Sequence, residues 1–180
     1  MRLTSAGSAF AACLLCVSIA TASQKAEQAS SSPTPGAETH DGFLFRVMAG
    51  GGYAGLYQKK ASTDKWDWTH LGGGGVNLSF GGSPVNNLSL YFETALNFPQ
   101  LFAAGFGIGG YVAGNVFIDG SIGYSFMVNE YAALTLGKEW WTSDEWGLGL
   151  ALRETVAGAL PRFPGGVMMT TFLFFTATYN

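Results

Sequence analysis

Residues 88–98 read Leu88-Ser89-Leu90-Tyr91-Phe92-Glu93-Thr94-Ala95-Leu96-Asn97-Phe98. Leu88, Leu90, Phe92, Leu96 and Phe98 fall on one side of a two-residue period, with Thr94 the polar exception. Ser89, Tyr91, Glu93, Ala95 and Asn97 fall on the other. This alternation belongs to a β-strand with one apolar face. The same period recurs on the C-terminal side. Trp146, Leu148, Leu150 and Leu152 alternate with Gly147, Gly149, Ala151 and Arg153, and Val116, Ile118, Ile122 and Tyr124 alternate with Phe117, Asp119, Ser121 and Gly123. A helix is a poor fit, because glycine recurs at short intervals and β-branched and aromatic residues fill the gaps.

Turn residues cut the region from Phe43 onward into eight segments: 43–57, 68–80, 88–98, 103–113, 116–127, 132–140, 146–157 and 167–179. Each is close to the length that a tilted membrane-spanning strand needs. Gly82-Ser83-Pro84-Val85-Asn86, Gly114-Asn115 and Thr142-Ser143-Asp144-Glu145 read as tight turns, and 59–67 and 158–166 as longer loops. An even strand number puts both ends of the region on one side, and short turns alternating with longer loops are expected of bacterial barrels.

The two faces differ sharply. One carries Phe43, Phe45, Val47, Leu90, Phe92, Ile118, Ile122, Leu134, Leu136, Leu148, Leu150, Leu173 and Phe175. The other carries Asn77, Thr135, Thr170, Thr176 and Thr178 and the strand charges Arg46, Glu93, Asp119, Glu139 and Arg153. Alternation alone fits two architectures. One is a lipocalin-like soluble barrel with the apolar face inside, holding an apolar ligand. The other is a transmembrane barrel with the apolar face outside. Three features favour the second. The polar face is rich in Gly and Ala, which suits a narrow eight-stranded lumen. Trp140, Trp141 and Trp146 flank a predicted turn and Tyr179 ends the last segment, as expected of an interfacial aromatic girdle. The apolar face also recurs over too many strands to be scattered surface exposure.

Composition agrees. Of 180 residues, 12% are charged, against about 25% in a typical soluble domain. There are 26 glycines, and aromatics make up 14%. The net charge of −3 argues against nucleic acid as a partner, since phosphates demand a basic patch. No apolar run long enough for a spanning helix follows the first twenty-odd residues, so any membrane crossing falls to a closed barrel, which satisfies its own backbone.

The N-terminus reads as a secretory signal over 1–22. Arg2 supplies the positive region, residues 9–20 the apolar stretch, and Ala20-Thr21-Ala22 the cleavage site. Both cysteines, Cys13 and Cys16, lie in it, so the mature chain is expected to hold no disulfide or thiol nucleophile. Lipid attachment at either is disfavoured: Leu15 before Cys16 is too large for that processing signal, and Cys13 leaves a very short apolar stretch. Residues 23–41, with Ser30-Ser31-Ser32-Pro33-Thr34-Pro35-Gly36, read as a disordered periplasmic tether. The barrel then occupies 42–180.

Catalytic patterns are weak. His40 lies in the tether. His70, near a loop, could pair with Thr69 or Ser62 in a lipid-modifying barrel enzyme, but a lone histidine without an orienting partner is a thin basis for that. No ligand spacing suggests zinc or calcium. The runs Gly72–Gly75 and Gly105-Phe106-Gly107-Ile108-Gly109-Gly110 lack the following helix of a phosphate loop and read as strand glycines. Neither a cofactor nor a metal is expected.

Taken together, the signal segment, the alternating strands and the last strand Thr171-Phe172-Leu173-Phe174-Phe175-Thr176-Ala177-Thr178-Tyr179-Asn180 resemble small bacterial outer-membrane barrels of the OmpA/OmpX type. The resemblance is architectural and covers Phe43 to Asn180. It implies an all-β, eight-stranded antiparallel up-and-down transmembrane β-barrel in the Gram-negative outer membrane. It also implies contact with outer-membrane lipid and handling of the last strand by the barrel-assembly machinery. In that group the last strand ends on the aromatic itself, whereas here Asn180 follows Tyr179. The expected role is non-enzymatic, structural or surface-interacting through outer loops, with an extracellular partner that the sequence does not name. The five charges Arg46, Glu93, Asp119, Glu139 and Arg153 are expected to form a structural ion-pair network that plugs the lumen, a porin-like polar pore being the alternative. Arg46, Asp119 and Glu139 should lie toward the periplasmic end, Glu93 and Arg153 nearer the middle.

Overall fold

The computed structural model describes residues 42–59, 64–99, 101–112, 115–125, 129–143, 145–158 and 166–179. The expected signal segment and tether, with Cys13, Cys16 and His40, lie outside the described residues.

The described residues form eight strands: β1 (Gly42–Lys59), β2 (Trp66–Val85), β3 (Leu88–Phe98), β4 (Leu101–Tyr111), β5 (Val116–Ser125), β6 (Asn129–Trp141), β7 (Trp146–Gly158) and β8 (Val167–Tyr179). Each pairs antiparallel with the next, and β1 pairs with β8, closing an up-and-down barrel. Closure satisfies the backbone of every strand internally, the condition for crossing hydrocarbon. Both described termini and the turns β2–β3, β4–β5 and β6–β7 sit at one end, hereafter the turn end. The connections β1–β2, β3–β4, β5–β6 and β7–β8 sit at the loop end.

Inside and outside follow the two-residue period. On β7 the burial alternates without exception from Trp146 to Gly158, with Gly147, Gly149, Ala151, Arg153, Thr155 and Ala157 inward. The apolar set faces out; Phe106 and Phe175 are 70% and 72% exposed. The interior holds Asn77, Ser89, Glu93, Asp119, Thr135, Glu139, Arg153 and Thr178, all buried. A soluble ligand-binding barrel needs the reverse arrangement, so the lipocalin-like geometry is not what this chain adopts.

Three expectations are corrected. The segment Gly82-Ser83-Pro84-Val85 is strand, not turn: β2 runs on to Val85 through a register shift between Gly82 and Val85. A bulge is where a strand tolerates proline. The turn itself is Asn86-Asn87, with Asn87 at φ 64°, a conformation asparagine reaches at low cost. Second, strand charges do not all point inward: Lys138 of β6 and Glu154 of β7 are exposed on the outer face. Third, Trp141 follows Glu139 round to the inward parity at the turn-end rim and is half-buried, whereas Trp140 and Trp146 are exposed outside.

Candidate functional site: a charged lumen and an outward aromatic cluster

An eight-stranded lumen is just wide enough for side chains to meet at its centre. Here they meet in two polar layers. Near the turn end, Arg46 of β1 reaches Asp119 of β5 in a close ion pair. Its Nε lies 3.4 Å from Glu139 Oε1 on β6 and donates to Thr178 Oγ1 on β8 at 3.0 Å. Its Nη2 donates to the Tyr111 hydroxyl at 2.8 Å. Tyr111 in turn donates to Glu139 Oε2 at 2.7 Å, and Thr178 donates to Glu139 Oε1 at 2.5 Å. The guanidinium carbon sits 4.0 Å from the centre of the Phe117 ring, a cation–π contact.

Further toward the loop end, Arg153 of β7 crosses to Glu93 of β3. Nη2 donates to Oε1 at 2.6 Å and Nη1 to Oε2 at 3.1 Å, a bidentate pair. Arg153 also donates to Ser121 Oγ at 3.1 Å and Thr135 Oγ1 at 3.3 Å. Glu93 further accepts from Ser121 at 2.8 Å and from Tyr131 at 2.7 Å. The charges are 0–4% exposed, a burial that is costly unless every charge is paired and hydrogen-bonded. Beyond this layer Ala95, Ala103, Ala133, Ala157 and Met168 pack around Tyr131, with Leu56 against them, and a buried Asn97–Asn77 hydrogen bond of 2.9 Å lies among them.

Local sequence makes room for these groups. Gly107 and Gly109 of β4 face inward; a Cβ at Gly107 would overlap the Tyr91 ring, and one at Gly109 would fall on the Asp119 carboxylate. The bulky polar side chains lean into space that β4 leaves empty.

The structure thus brings all five sequence-singled charges into the lumen, in two groups. Pattern reading missed the uncharged members Tyr111, Tyr131, Ser121 and Phe117. Their signal was only their shared inward parity, because nothing local says which level of the barrel each reaches.

Outside, Trp146 and Tyr179 pack edge to face at 5.3 Å at the turn end, with Trp140 nearby on β6 beneath Lys138. At the loop end a second cluster lies on β1 and β2. Tyr57 stacks on Trp66 at 5.3 Å and meets Trp68 at 5.1 Å, and the Trp68 and His70 rings are nearly parallel at 6.5 Å. Tyr53 Oη and His70 Nδ1 are 2.7 Å apart. His70 therefore partners a tyrosine and not Thr69; Ser62 lies outside the described residues. Among the described residues no three His, Cys, Asp or Glu side chains gather as a metal site.

No protein-family model and no curated protein matches the chain. Among solved structures, Neisserial surface protein A superposes with a TM-score of 0.52 at 9% identity, over 79% of this chain and 99% of that one. The outer membrane protein AlkL, solved in lipid bilayers, overlaps more loosely, at TM-score 0.38 and 10% identity over 83% of this chain and 95% of that one. The first likeness establishes a shared fold: the chain has the architecture of small transmembrane β-barrels.

Proposed function

We propose that the chain is a non-enzymatic outer-membrane barrel whose lumen is shut by its own side chains and whose role, structural or adhesive, is exercised through its outer loops. In this reading the turn end faces the periplasm, where the signal-processed chain enters through its tether, and the loop end faces outward. The observation that carries it is the pair of buried arginine layers. Each joins walls on opposite sides of the barrel, β1 to β5 through the close Arg46–Asp119 pair and β7 to β3 through Arg153–Glu93 at 2.6 Å. Groups so placed obstruct the axis; a conducting pore would line its wall with them and leave the centre wet.

The exterior supports membrane residence. A predominantly apolar wall runs between two outward aromatic clusters, the arrangement expected of lipid contact. Fractionation of the expressed chain tests the location. Recovery with the outer membrane, and a gel band whose mobility shifts on boiling, is the expected result. Detergent-free release with the periplasmic fraction contradicts it.

A further inference from the structure

The loop-end cluster differs from an ordinary girdle in carrying a line of polar groups across four strands of the outer wall. Glu154 of β7 pairs in register with Thr171 of β8, and Thr171 with Tyr53 of β1. Thr171 Oγ1 donates to Glu154 Oε2 at 2.8 Å. Tyr53 extends the line to His70 of β2 at 2.7 Å. Adjacent strands are about 4.8 Å apart, so carboxylate, hydroxyl, phenol and imidazole succeed one another along a single shelf. Gly55 makes it possible: the Tyr53 hydroxyl and the Trp68 ring both lie over it, and a Cβ there would sit 2.7 Å and 3.0 Å from them.

The shelf crosses the upper part of the outer wall, and exposed Val156, Met169 and Val167 continue beyond it toward the loop end. Glu154 is eight positions beyond Trp146 on β7, which at strand rise and barrel tilt is about 20 Å of height, near the top of an apolar band of about 25 Å. An outward carboxylate deep in hydrocarbon is strongly disfavoured, and at the headgroup level it is available to a ligand. The neighbouring β3–β4 wall ends instead on exposed Leu96, Phe98 and Phe102, and β5–β6 presents the exposed Tyr124 in register with Glu130 but, among the described residues, no tryptophan at that end.

The geometry points to this shelf as a binding site for the uncharged sugar headgroup of a membrane glycolipid. Trp68, Trp66 and Tyr57 offer flat apolar faces, 40% and 43% exposed for the two tryptophans, on which the C–H face of a pyranose stacks. Glu154 accepts hydrogen bonds from sugar hydroxyls, and Thr171, Tyr53 and His70 add polar atoms alongside. Phosphate is disfavoured along the shelf itself, which presents a carboxylate; the lysines Lys59, paired with Asp64 at 2.6 Å, and Lys65 lie beyond it beside Trp66. A lipid-borne sugar is favoured over a free one because the shelf runs straight into the lipid-facing wall, where Leu173 and Phe175 of β8, 53% and 72% exposed, can flank an acyl chain. The proposal rests on the membrane-facing reading of that wall.

The test uses the full chain in phosphatidylcholine nanodiscs with added digalactosyl diacylglycerol, read through the indole and imidazole NMR signals. Saturable shifts at Trp66, Trp68 and His70 are expected, with those of Trp140 and Trp146 unmoved. Trp68→Ala and Glu154→Gln should each weaken the interaction about tenfold, the loss of one stacking or charge-assisted contact, while Trp146→Phe binds as the parent does. Equal shifts with phosphatidylglycerol, equal affinity for free digalactose, or binding unaffected by Trp68→Ala and Glu154→Gln each overturn the proposal. Boiling-dependent gel mobility of every variant is recorded alongside, so that a barrel intact without binding rejects the site and leaves the membrane reading standing.

Discussion

Two arginines span the lumen, and their surroundings are unequal. Arg153 meets one carboxylate, Glu93, in a bidentate pair. Arg46 meets two, Asp119 and Glu139, and adds a phenyl ring and two hydroxyls. The middle layer is balanced charge for charge, while the turn-end layer holds one carboxylate more than its arginine. A buried pair is valued mainly by what breaking it leaves behind. The two layers should therefore respond unequally to the loss of one acid: in the middle it strands a cation, and at the turn end it leaves a matched pair.

The largest effect is expected from Arg46→Ala, which strands two buried carboxylates at once. Its cost should lie at the upper end of the range for breaking a buried pair, about 5 kcal/mol, measured by urea unfolding in lipid vesicles. Glu93→Gln should follow at about 3–4 kcal/mol, since Arg153 then has no anion across the lumen. The double variant Glu93→Gln/Arg153→Met should cost less than the sum of its parts, and strict additivity would mean the two are not partners. On the outside of β7, Leu150→Arg should cost about 2–4 kcal/mol by placing a charge in lipid, and its inward neighbour Ala151→Ser far less. Equal costs at these adjacent positions would overturn the assignment of faces. The smallest effect separates the layers most cleanly. Glu139→Gln leaves Arg46 balanced by Asp119 and sacrifices one hydrogen bond, about 1 kcal/mol. A loss as large as that of Glu93→Gln would refute the charge count.

Much of the fold was legible because a strand's period of two is a local property. Leu88 to Phe98 declares its two faces with no reference to the rest of the chain, and the inward parity of Arg46, Glu93, Asp119, Glu139 and Arg153 follows from similar runs. Level along the barrel is different. Arg153 and Glu93 are 60 residues apart and Arg46 and Asp119 are 73 apart. Distance from the turns gives only an approximate level, Arg46, Asp119 and Glu139 near one end and Glu93 and Arg153 nearer the middle. Which side chains then meet depends on the stagger of every strand pair between them, and alternation carries no information about stagger. The same limit hid Tyr111 and Tyr131. The misread turn at Gly82–Asn86 has another cause: glycine and proline are strong turn signals, yet a bulge accepts both, and the turn used Asn86 and Asn87 instead. Lys138 and Glu154 were overlooked because they sit among apolar neighbours near the ends of the lipid-facing band, where an outward charge is tolerable.

The central claim is that the two arginine layers close the lumen. Planar-bilayer recording of the purified, refolded chain, with boiling-dependent mobility confirming that it is folded, tests this most directly. The account predicts no sustained ohmic current from the parent protein. A stable unitary conductance from the parent protein would contradict it.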